Sequence, residues 1–529
     1  MVLPAWNYDK QRGAVKLTAD AGYIQEVLLK ELNERQRQCV THTYLNNTLC
    51  IAGAGSGKTR VIAKRIAFIV TMGHSTDSII AVTFTNKAAG ELKERVASYI
   101  GNEADRILMG TFHSICLKLL RQFAPCLGIN EDFDIVGPAG CKRILEDILR
   151  FRLGYADSGT IEEYRNHISL MKNKLITPDQ FDGYAADNLE TNYTTHKNSK
   201  LLADVYRDYE DSMRQQNAMD YDGLIVNMIR ALDVPAIRNY CQDRFKFILV
   251  DESQDTNAAQ FKLIEGMAGP NNIFLVADID QTIYEWRGAR MENMFDFLDK
   301  YPEAETVKLE QNYRSTKTIV KASNAVIKNN RNRFEKTCFT ENGTGERINL
   351  HTALDSAKET EFVVNEIQKL AGAGYDYKDI AVLFRTNAIG ALFEDELISK
   401  RIPYLAIKNI DIPQEDYLAD DPALSNTDGE KKPENTVKLQ TVHSAKGLEY
   451  KAVFVVGLEE NTFPCYNRDE KDTAAHMEEE RRLFYVAITR CQERLYLTRA
   501  CKRMISGAWR VLKPSPFLGE IPRVLLRFV

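Results

Sequence analysis

The sequence predicts an α/β fold with two parallel sheets and an inserted helical region. Short apolar runs recur along the 529-residue chain, each followed by a Gly-rich or polar turn and then a helical pattern. Runs of this kind are typical of buried parallel strands joined by crossover helices. They occur at 49–52, 79–83, 247–250, 273–276, 380–384 and 453–456.

The spacing of these runs divides the chain. Four runs precede residue 280 and two follow residue 375, so two sheets fit better than one. Between 114 and 202 the pattern is helical without convincing strands, as at 144–151 and 161–172. We therefore expect a helical domain inserted into the first sheet's domain.

Composition excludes several classes of protein. Hydrophobic residues make up 44% and charged residues 27% of the chain, which is typical of a globular protein and not of a disordered or fibrous one. No apolar run is long enough for a membrane span, and the first residues lack the order of a secretory signal. The ten cysteines form no Cys-x-x-Cys pair, so neither a zinc site nor a disulfide framework is indicated. The sequence predicts a cytoplasmic protein without a membrane partner.

The net charge of -5 argues against a uniformly basic surface but permits a local nucleic-acid groove. Most of this charge comes from residues 408–435, which contain eight acidic residues and three lysines. Pro, Asp, Asn and Gly are interleaved there without a helical or strand period. We expect this acidic segment to be an exposed, mobile tether.

A glycine-rich turn after the first run predicts a phosphate site. Glycines let successive backbone N–H groups face one anion, the following helix adds its positive end, Lys58 reaches the terminal phosphates and Thr59 binds Mg²⁺. An ordinary turn with a surface lysine is the alternative. The predicted nucleotide-binding residues of this segment are Ala52, Gly53, Ala54, Gly55, Ser56, Gly57, Lys58, Thr59 and Arg60.

Two adjacent carboxylates follow the run at 247–250. Asp251 and Glu252 lie where ligands bind in parallel α/β sheets, at the carboxyl end of a strand. Asp251 would hold the Mg²⁺ shell and Glu252 would polarise the attacking water, which predicts phosphoryl transfer. An Asp-Glu pair alone is more often a solvated turn, so the phosphate loop is what favours catalysis here.

Together with other motifs, these two segments resemble a superfamily 1 DNA helicase of the UvrD/Rep type. The resemblance runs from about 32 to 522 and keeps the order of the family's motifs. Besides the phosphate loop, the motifs are LNERQ (32–36), TFTNKAA (83–89), GTFHS (110–114), DESQDTN (251–257), ADIDQTIYEWRGA (277–289), LEQNYRS (309–315), TVHSAKGLE (441–449) and ERRLFYVAITR (480–490).

The resemblance implies two RecA-like P-loop motor domains with ATP between them and a helical insertion in the first. The implied division is an N-terminal extension 1–31, motor domain 1A at 32–113 and 203–308, the insertion 1B at 114–202, motor domain 2A at 309–408 and 436–529, and an acidic linker at 409–435.

The resemblance also assigns nucleotide-site roles. Arg314 and Arg490 match arginines that reach the phosphates from the second motor domain, which suits a charged, bidentate guanidinium group. A helix-face salt bridge is the alternative for Arg490. Gln36 matches the residue that recognises adenine, and Arg60 and Tyr313 match the pair that stacks on the two faces of the base. Gln281 matches the γ-phosphate sensor, and Glu449 matches a ribose contact. Lys58, Glu252, Gln281, Arg314 and Arg490 are thus the expected catalytic residues, and Thr59 and Asp251 the Mg²⁺ ligands.

For DNA, a single-strand channel needs cations and donors for phosphates and aromatic faces for bases. Taken alone, each of these aromatics would more often be a core residue, and His113 and His443 fit internal histidines equally well. The family-matched DNA-binding residues are Phe84, Thr85, Asn86, Thr111, His113, Tyr284, Trp286, Arg287, Arg385 and His443.

The chain departs from the family in three places. Ala277 and Ile279 replace a glycine and a common acidic residue before Gln281, which predicts altered coupling to the DNA channel. In UvrD/Rep relatives a helical 2B domain follows the segment that resembles Arg401–Tyr404, whereas Val437 resumes the motor here after 32 residues, 405–436. That interval is too short for a domain.

Two functions follow from these observations. The first is an ATP- and Mg²⁺-dependent translocase and helicase with 3'-5' polarity, acting on single-stranded DNA and 3'-tailed duplexes. The second is a DNA-stimulated ATPase that serves as a subunit or switch, with a protein partner, in a larger DNA repair or defence complex. A nucleotide kinase on the same loop would not need Gln36, Trp286 and Arg490 together.

Overall fold

The computed structural model describes residues 23–41, 45–181, 199–269, 272–407, 435–466, 474–505 and 507–529. Most of the predicted N-terminal extension and, apart from Asn435, the predicted acidic linker lie outside the described residues. Among the described residues, no helix is both long enough and apolar enough to cross a bilayer.

The first lobe is built on a six-stranded parallel sheet with the order β3-β2-β6-β7-β1-β8. Alternate residues of β1 enter opposite cores, Leu49 and Ile51 on one face and Cys50 on the other. Both faces are therefore covered by helices, which explains why the strands read as continuous apolar runs. Its strands are β1 (Thr48–Ala52), β2 (Ile79–Thr83), β3 (Leu108–Thr111), β6 (Phe247–Val250), β7 (Ile273–Ala277) and β8 (Glu305–Leu309).

The second lobe is built on a seven-stranded parallel sheet with the order β11-β12-β10-β13-β14-β9-β17. Leu383 and Val382 of β10 enter separate cores on its two faces. Its strands are β9 (Ile348–Ala353), β10 (Ile380–Phe384), β11 (Tyr404–Ile407), β12 (Val437–Thr441), β13 (Tyr450–Val455), β14 (Cys491–Ala500) and β17 (Leu526–Phe528). The predicted two-sheet α/β class is confirmed.

Helices connect the strands. The α-helices are α1 (Glu34–Thr41), α2 (Lys58–Thr71), α3 (Asn86–Ile100), α4 (Phe112–Leu127), α5 (Pro138–Leu153), α6 (Ser158–Asn173), α7 (Ser199–Gln215), α8 (Tyr221–Ala231), α9 (Pro235–Arg244), α10 (Ala258–Ala268), α11 (Glu292–Lys300), α12 (Lys317–Ile327), α13 (Ser356–Gly372), α14 (Asn387–Ser399) and α15 (Ala474–Thr489). A π-helix spans Ile24–Leu29, and single 3₁₀ segments span Thr76–Ser78, Gly101–Arg106, Ser253–Asp255, Ile279–Gln281, Glu285–Arg287, Tyr377–Asp379, Pro516–Glu520 and Arg523–Leu525.

The helical insertion has a core of its own, and its limits differ from the predicted 114 and 202. Helix α4 packs its apolar face, including Ile115 and Leu119, into the core of the first sheet. The separate core is instead formed by α5, α6 and α7, with members from Cys141 to Ala218. A short parallel pair, β4 (Asp134–Val136) and β5 (Ala218–Asp220), joins this unit to the lobe, although no strand was expected there.

A second short pair extends from the other lobe. Strands β15 (Lys502–Ile505) and β16 (Ala508–Val511) form an antiparallel hairpin directly after β14. Met504 and Trp509 face each other across it, and both are more than half exposed. The root of the hairpin is fixed by Arg503, which is buried between the carboxylates of Glu359 and Glu459.

Candidate nucleotide and nucleic-acid site

The phosphate loop occupies the carboxyl end of β1, as the sequence predicts. Gly55 and Gly57 have φ values of 66° and 80°, in the left-handed region that a glycine adopts without strain. Gly57 immediately precedes α2, so the loop leads into a helix N-terminus. The Ser56 hydroxyl is buried without a hydrogen-bond partner, which leaves a polar group free for a ligand. A backbone cradle of this kind suits an anion.

The two carboxylates lie at the end of β6 and face this loop. Lys58 Nζ forms an ion pair with Glu252 Oε1 at 2.6 Å, and Thr59 Oγ1 lies 3.5 Å from Asp251 Oδ2. Burial raises the pKa of Asp251 to about 6, assisted by the neighbouring Glu252. Burial acts in the same direction on Glu252, but Lys58 and Lys446 outweigh it and lower its pKa to about 2.

Glu252 has a strained backbone that sequence reasoning did not anticipate. Its φ of 49° is left-handed, a conformation that costs a non-glycine residue roughly 1–2 kcal/mol. The side chain is held by Lys58 on one oxygen and by Gln254 Nε2, at 2.5 Å, on the other. Gln254 is fully buried, and its own Oε1 accepts from the backbone N–H of Asp278 at 2.8 Å. The carboxylate is therefore fixed from two sides.

Oxygen ligands for Mg²⁺ are present at this point. Thr59 supplies a hydroxyl group and Asp251 a buried carboxyl group, and Mg²⁺ prefers such ligands. Burial and the Glu252 carboxylate both disfavour a negative charge on Asp251 and raise its pKa. A divalent cation would compensate that charge, so the residues fit the predicted ion.

The three residues predicted to bind adenine also lie next to one another. Gln36, which is fully buried at the start of α1, donates through Nε2 to the Ser56 carbonyl at 2.9 Å. Arg60 lies over the Tyr313 ring at 5.3 Å and contacts Gln36 Oε1 at 3.4 Å. Tyr313 is 41% exposed, so one side of its ring is accessible to a base.

The second lobe brings two arginines to the same cleft. Arg490 donates to Gln281 Oε1 at 2.9 Å, and Arg314 donates to Glu449 Oε2 at 2.6 Å and to the Thr489 carbonyl at 3.0 Å. Burial and the nearby Arg314 charge lower the pKa of Arg490 to about 9, so it stays cationic at neutral pH. Two guanidinium groups this close favour an anion between them.

These groups line one cleft of about 940 Å³ between the lobes. Its lining includes the phosphate loop, both carboxylates and both arginines. Glu449, predicted to contact the ribose, also lines the cleft, where it is shared by Arg314 and Gln492. Ala52, Gly53 and Ala54 complete the loop, with Ala54 bound through its carbonyl to Asn312 at 2.7 Å.

An aromatic and basic cluster adjoins the cleft. The Phe84 and Tyr284 rings stack at 5.8 Å, Arg287 lies over the Trp286 ring at 4.5 Å, and Trp286 meets His443 edge-on at 6.4 Å. Trp286 is 59% exposed whereas Tyr284 is buried, so Trp286 is the ring available for stacking.

The remaining predicted DNA-binding residues have different surroundings. Thr85 caps α3 by accepting from the Ala88 N–H at 3.2 Å, and the amide nitrogen of Asn86 is buried without a hydrogen-bond partner. Thr111 is buried in the capping box of α4. Arg385 is bound by Glu480, with 2.8 Å between Nη2 and Oε1.

His113 is buried, whereas His443 is half-buried. His113 meets the Tyr221 ring edge-on at 6.1 Å, and burial lowers its pKa to about 4. Burial, with the Arg385, Arg287 and Lys446 charges, lowers the pKa of His443 to about 3. Both rings are therefore neutral at pH 7, and their placement in this structure is that of internal histidines, although His443 lies at the aromatic cluster.

Sequence reasoning missed several residues that join the lobes. Lys446 contacts Asp255, donates to the Gln281 carbonyl at 2.8 Å and lies over the Tyr284 ring at 5.1 Å. Arg482 pairs with Glu285 at 2.6 Å. Both cations lie within motifs that the sequence displayed, so the signal was present, but only the fold shows that they reach the other lobe.

Family models match most of the chain. The model of the UvrD/REP helicase N-terminal domain matches residues 32–302, and that of the UvrD-like helicase C-terminal domain matches 307–412 and 417–502. The chain is 33% identical to the ATP-dependent DNA helicase PcrA of Staphylococcus aureus strain Mu50, over 94% of this chain and 87% of that protein. It is 32% identical to PcrA of Staphylococcus epidermidis strain RP62A, with the same coverage. With its motifs assembled around one cleft, the chain belongs to the UvrD/Rep helicase family.

Proposed function

We propose that this protein is an ATP-dependent DNA helicase that moves 3'-5' along single-stranded DNA. The observation that carries the proposal is the convergence of Lys58, Thr59, Asp251 and Glu252 from the first lobe with the second lobe's arginines in one cleft. A site divided between two lobes is complete only when they close, so hydrolysis and lobe movement are linked. Membership of a helicase family supports the same conclusion.

The phosphates of ATP would change the partners of Lys58. Burial acts to lower the pKa of Lys58 in this structure, but the Glu252, Asp278 and Asp251 carboxylates outweigh burial and raise it. A bound triphosphate offers stronger anionic partners, so Lys58 moves to the phosphates and leaves Glu252 to accept a proton from the attacking water. Mg²⁺ held by Thr59 and Asp251 supplies charge neutralisation when bound.

The arginines complete the charge neutralisation. Arg314 exchanges Glu449 for a phosphate oxygen, and Arg490 exchanges its bond to Gln281 for a bond to the same group. Guanidinium groups are suited to this exchange because they remain charged and bind oxyanions at two points. Gln36, Arg60 and Tyr313 hold the base, which orients the phosphates for attack.

Coupling to DNA follows from the short distance between the two sites. Gln281 belongs to the nucleotide cleft, and Trp286, five residues later, belongs to the aromatic cluster. Lys446 contacts both the Gln281 carbonyl and the Tyr284 ring. A base stacked on Trp286 is worth roughly 1–3 kcal/mol. Part of that free energy can hold the lobes in the hydrolytic arrangement.

A second candidate is a DNA-stimulated ATPase that acts as a subunit or switch and unwinds nothing alone. The observation that favours it is the short interval between β11 and β12, adjacent parallel strands with Tyr404 opposite Val437. The alignment to the Staphylococcus aureus relative spans 649 positions, more than this chain has residues, so the relative contains segments that this chain lacks. A missing duplex-gripping domain would weaken unwinding.

An unwinding assay with the purified protein separates the candidates. Duplexes with 3' or 5' single-stranded tails, of DNA or RNA, are incubated with Mg-ATP, and displacement of the labelled strand is measured beside ATP hydrolysis. Displacement from 3'-tailed DNA supports the helicase. DNA-stimulated hydrolysis without displacement supports the switch, and displacement only from 5'-tailed DNA contradicts the proposed polarity.

A further inference from the structure

A segment between α12 and β9 crosses from the second lobe to the first. We call residues 328–340 the strap. Its start adjoins α12, whose Ile319 and Val326 lie in the second lobe's core. The strap then returns to the first lobe, where Phe334 packs against Phe295 of α11 with the ring centroids 4.6 Å apart.

The strap inserts two cations beneath Gln281. Lys336 Nζ lies 2.7 Å from Asp278 Oδ1 and also contacts Asp280. Arg333 binds Asp280 at two points, at 2.9 and 2.7 Å. The Lys336, Asp278 and Asp280 side chains are each at most 2% exposed, so two cations balance two anions out of solvent. Burial alone would lower the pKa of Lys336, but the two aspartates raise it.

This cluster determines the orientation of the Gln281 amide. Gln281 Nε2 donates to Asp278 Oδ2, and its Oε1 accepts from Arg490 at 2.9 Å. A carboxylate only accepts and a guanidinium only donates, so the amide nitrogen must face Asp278 and the oxygen must face Arg490. In that orientation the Gln281 amide oxygen accepts from Arg490 and cannot itself donate to a phosphate oxygen.

We propose that Lys336 is a positioning residue for ATP hydrolysis, which fixes the Gln281 amide through Asp278. The inference rests on the proposed function, and it assigns to the strap a role that none of the motifs indicates. Lys336 binds the Asp278 side chain, Asp278 accepts from the amide nitrogen of Gln281, and the amide oxygen accepts from Arg490. Lys336, which follows α12 of the second lobe, thereby positions the Gln281–Arg490 contact between the lobes through Asp278.

Removing Lys336 affects the two aspartates unequally. Asp280 keeps both contacts from Arg333, whereas Asp278 loses the lysine on its Oδ1. Asp278 would then be a fully buried charge without its cation, which is costly. The Asp278 side chain is then no longer held in place, so the Gln281 amide loses the acceptor that sets its orientation toward Arg490.

The test compares the full-length protein with Lys336→Met, with Lys336→Met combined with Asp278→Asn, and with the control Lys308→Met. Exposed Lys308 donates to the Glu335 carbonyl of the strap at 2.5 Å, so the control removes a strap contact without touching the buried cluster. The kcat and KM for ATP are measured with saturating single-stranded DNA, and thermal unfolding verifies that each variant is folded.

Lys336→Met is expected to lower kcat about 10- to 100-fold, the scale of a misplaced active-site group, with KM for ATP within about threefold. Asparagine is neutral, needs no cation and can accept from Gln281 through its oxygen, so the double variant is expected to recover kcat to within about fivefold of the parent. The Lys308→Met variant is expected to match the parent.

Three results would overturn the inference: a parental kcat in folded Lys336→Met, a double variant no better than the single one, or a loss that appears equally in KM. Because the double variant removes one cation and one anion together, it decides the question even if the single variant unfolds. Absence of DNA-stimulated hydrolysis in the parent would instead contradict the proposed function.

Discussion

In the first lobe the Glu252 carboxylate is held by two side chains of the same lobe, whereas each arginine of the second lobe combines contacts within its own lobe with one side-chain partner that a nucleotide would replace. Glu252 is fixed by Lys58 and Gln254, all from the first lobe. Arg314 is held by Glu449 and Arg490 by Gln281. We therefore distinguish a binding half, which is the phosphate loop and carboxylates of the first lobe, from a catalytic half, which is the two arginines. Substitutions should separate binding from turnover.

The largest effect is expected from Lys58→Ala in the binding half. Lys58 is the cation at the phosphate loop, and its removal takes away the group that meets the terminal phosphates. We expect no measurable ATP hydrolysis and weakened nucleotide binding. A fluorescent ATP analogue measures the binding, and Lys87→Ala, an exposed lysine near the same cleft, is the control. Retained hydrolysis would mean that the loop is not the phosphate site.

Glu252→Gln should separate nucleotide binding from hydrolysis within the binding half. Glutamine keeps the shape and the contact with Gln254 but cannot accept a proton from water. We expect nucleotide binding within about threefold of the parent and turnover reduced about 10³-fold, since general bases contribute about 10²–10⁴. Single-turnover hydrolysis measures the loss. Normal hydrolysis by this variant would exclude Glu252 as the water-activating residue.

Arg490→Ala tests the catalytic half. An arginine finger is worth about 10³ to 10⁵ in rate, so we expect at least about a hundredfold lower kcat. Nucleotide binding should change little, because the first lobe supplies the phosphate loop and the Gln36 and Arg60 side chains of the base pocket. The matched control is Arg510→Ala, an exposed arginine of the β15–β16 hairpin. Unchanged turnover would assign Arg490 to a structural contact with Gln281.

The smallest effect is expected outside both halves. Replacing residues 411–434 with a short Gly/Ser linker leaves β11 and β12 paired, as their register does not depend on the connection. Loop closure changes slowly with length, so DNA-stimulated ATPase should stay within about threefold of the parent. Loss of ATPase from a folded variant would show that this segment takes part in the cycle.

The sequence predicted six of the thirteen strands described in the two sheets and missed partly exposed ones such as β8 and β9, for a physical reason. Strands such as β1 and β10 are covered on both faces, so every position is apolar and the run is visible without a partner. The insertion was harder to delimit, because α4 has the same amphipathic pattern whether it packs on a sheet or on other helices. Only the packing partners distinguish the two cases.

In the candidate site, too, the sequence revealed the residues of local patterns but not those defined by tertiary contacts. Residues inside motifs, such as Lys58 and Arg490, could be named because their chemistry is read from neighbours in sequence. Lys336 could not, since its partners Asp278 and Asp280 are more than fifty residues away and no local pattern marks the strap. The strained φ of Glu252 was equally invisible, because it results from the tertiary contacts around the side chain.

The central claim is that one cleft needs both lobes and that DNA stabilises their closure. Steady-state ATP hydrolysis by the purified protein, measured with and without single-stranded DNA at saturating Mg-ATP, tests it most directly. The account predicts strong stimulation by DNA, and a Trp286→Ala variant should lose most of it while keeping the basal rate. Equal turnover with and without DNA would contradict the claim.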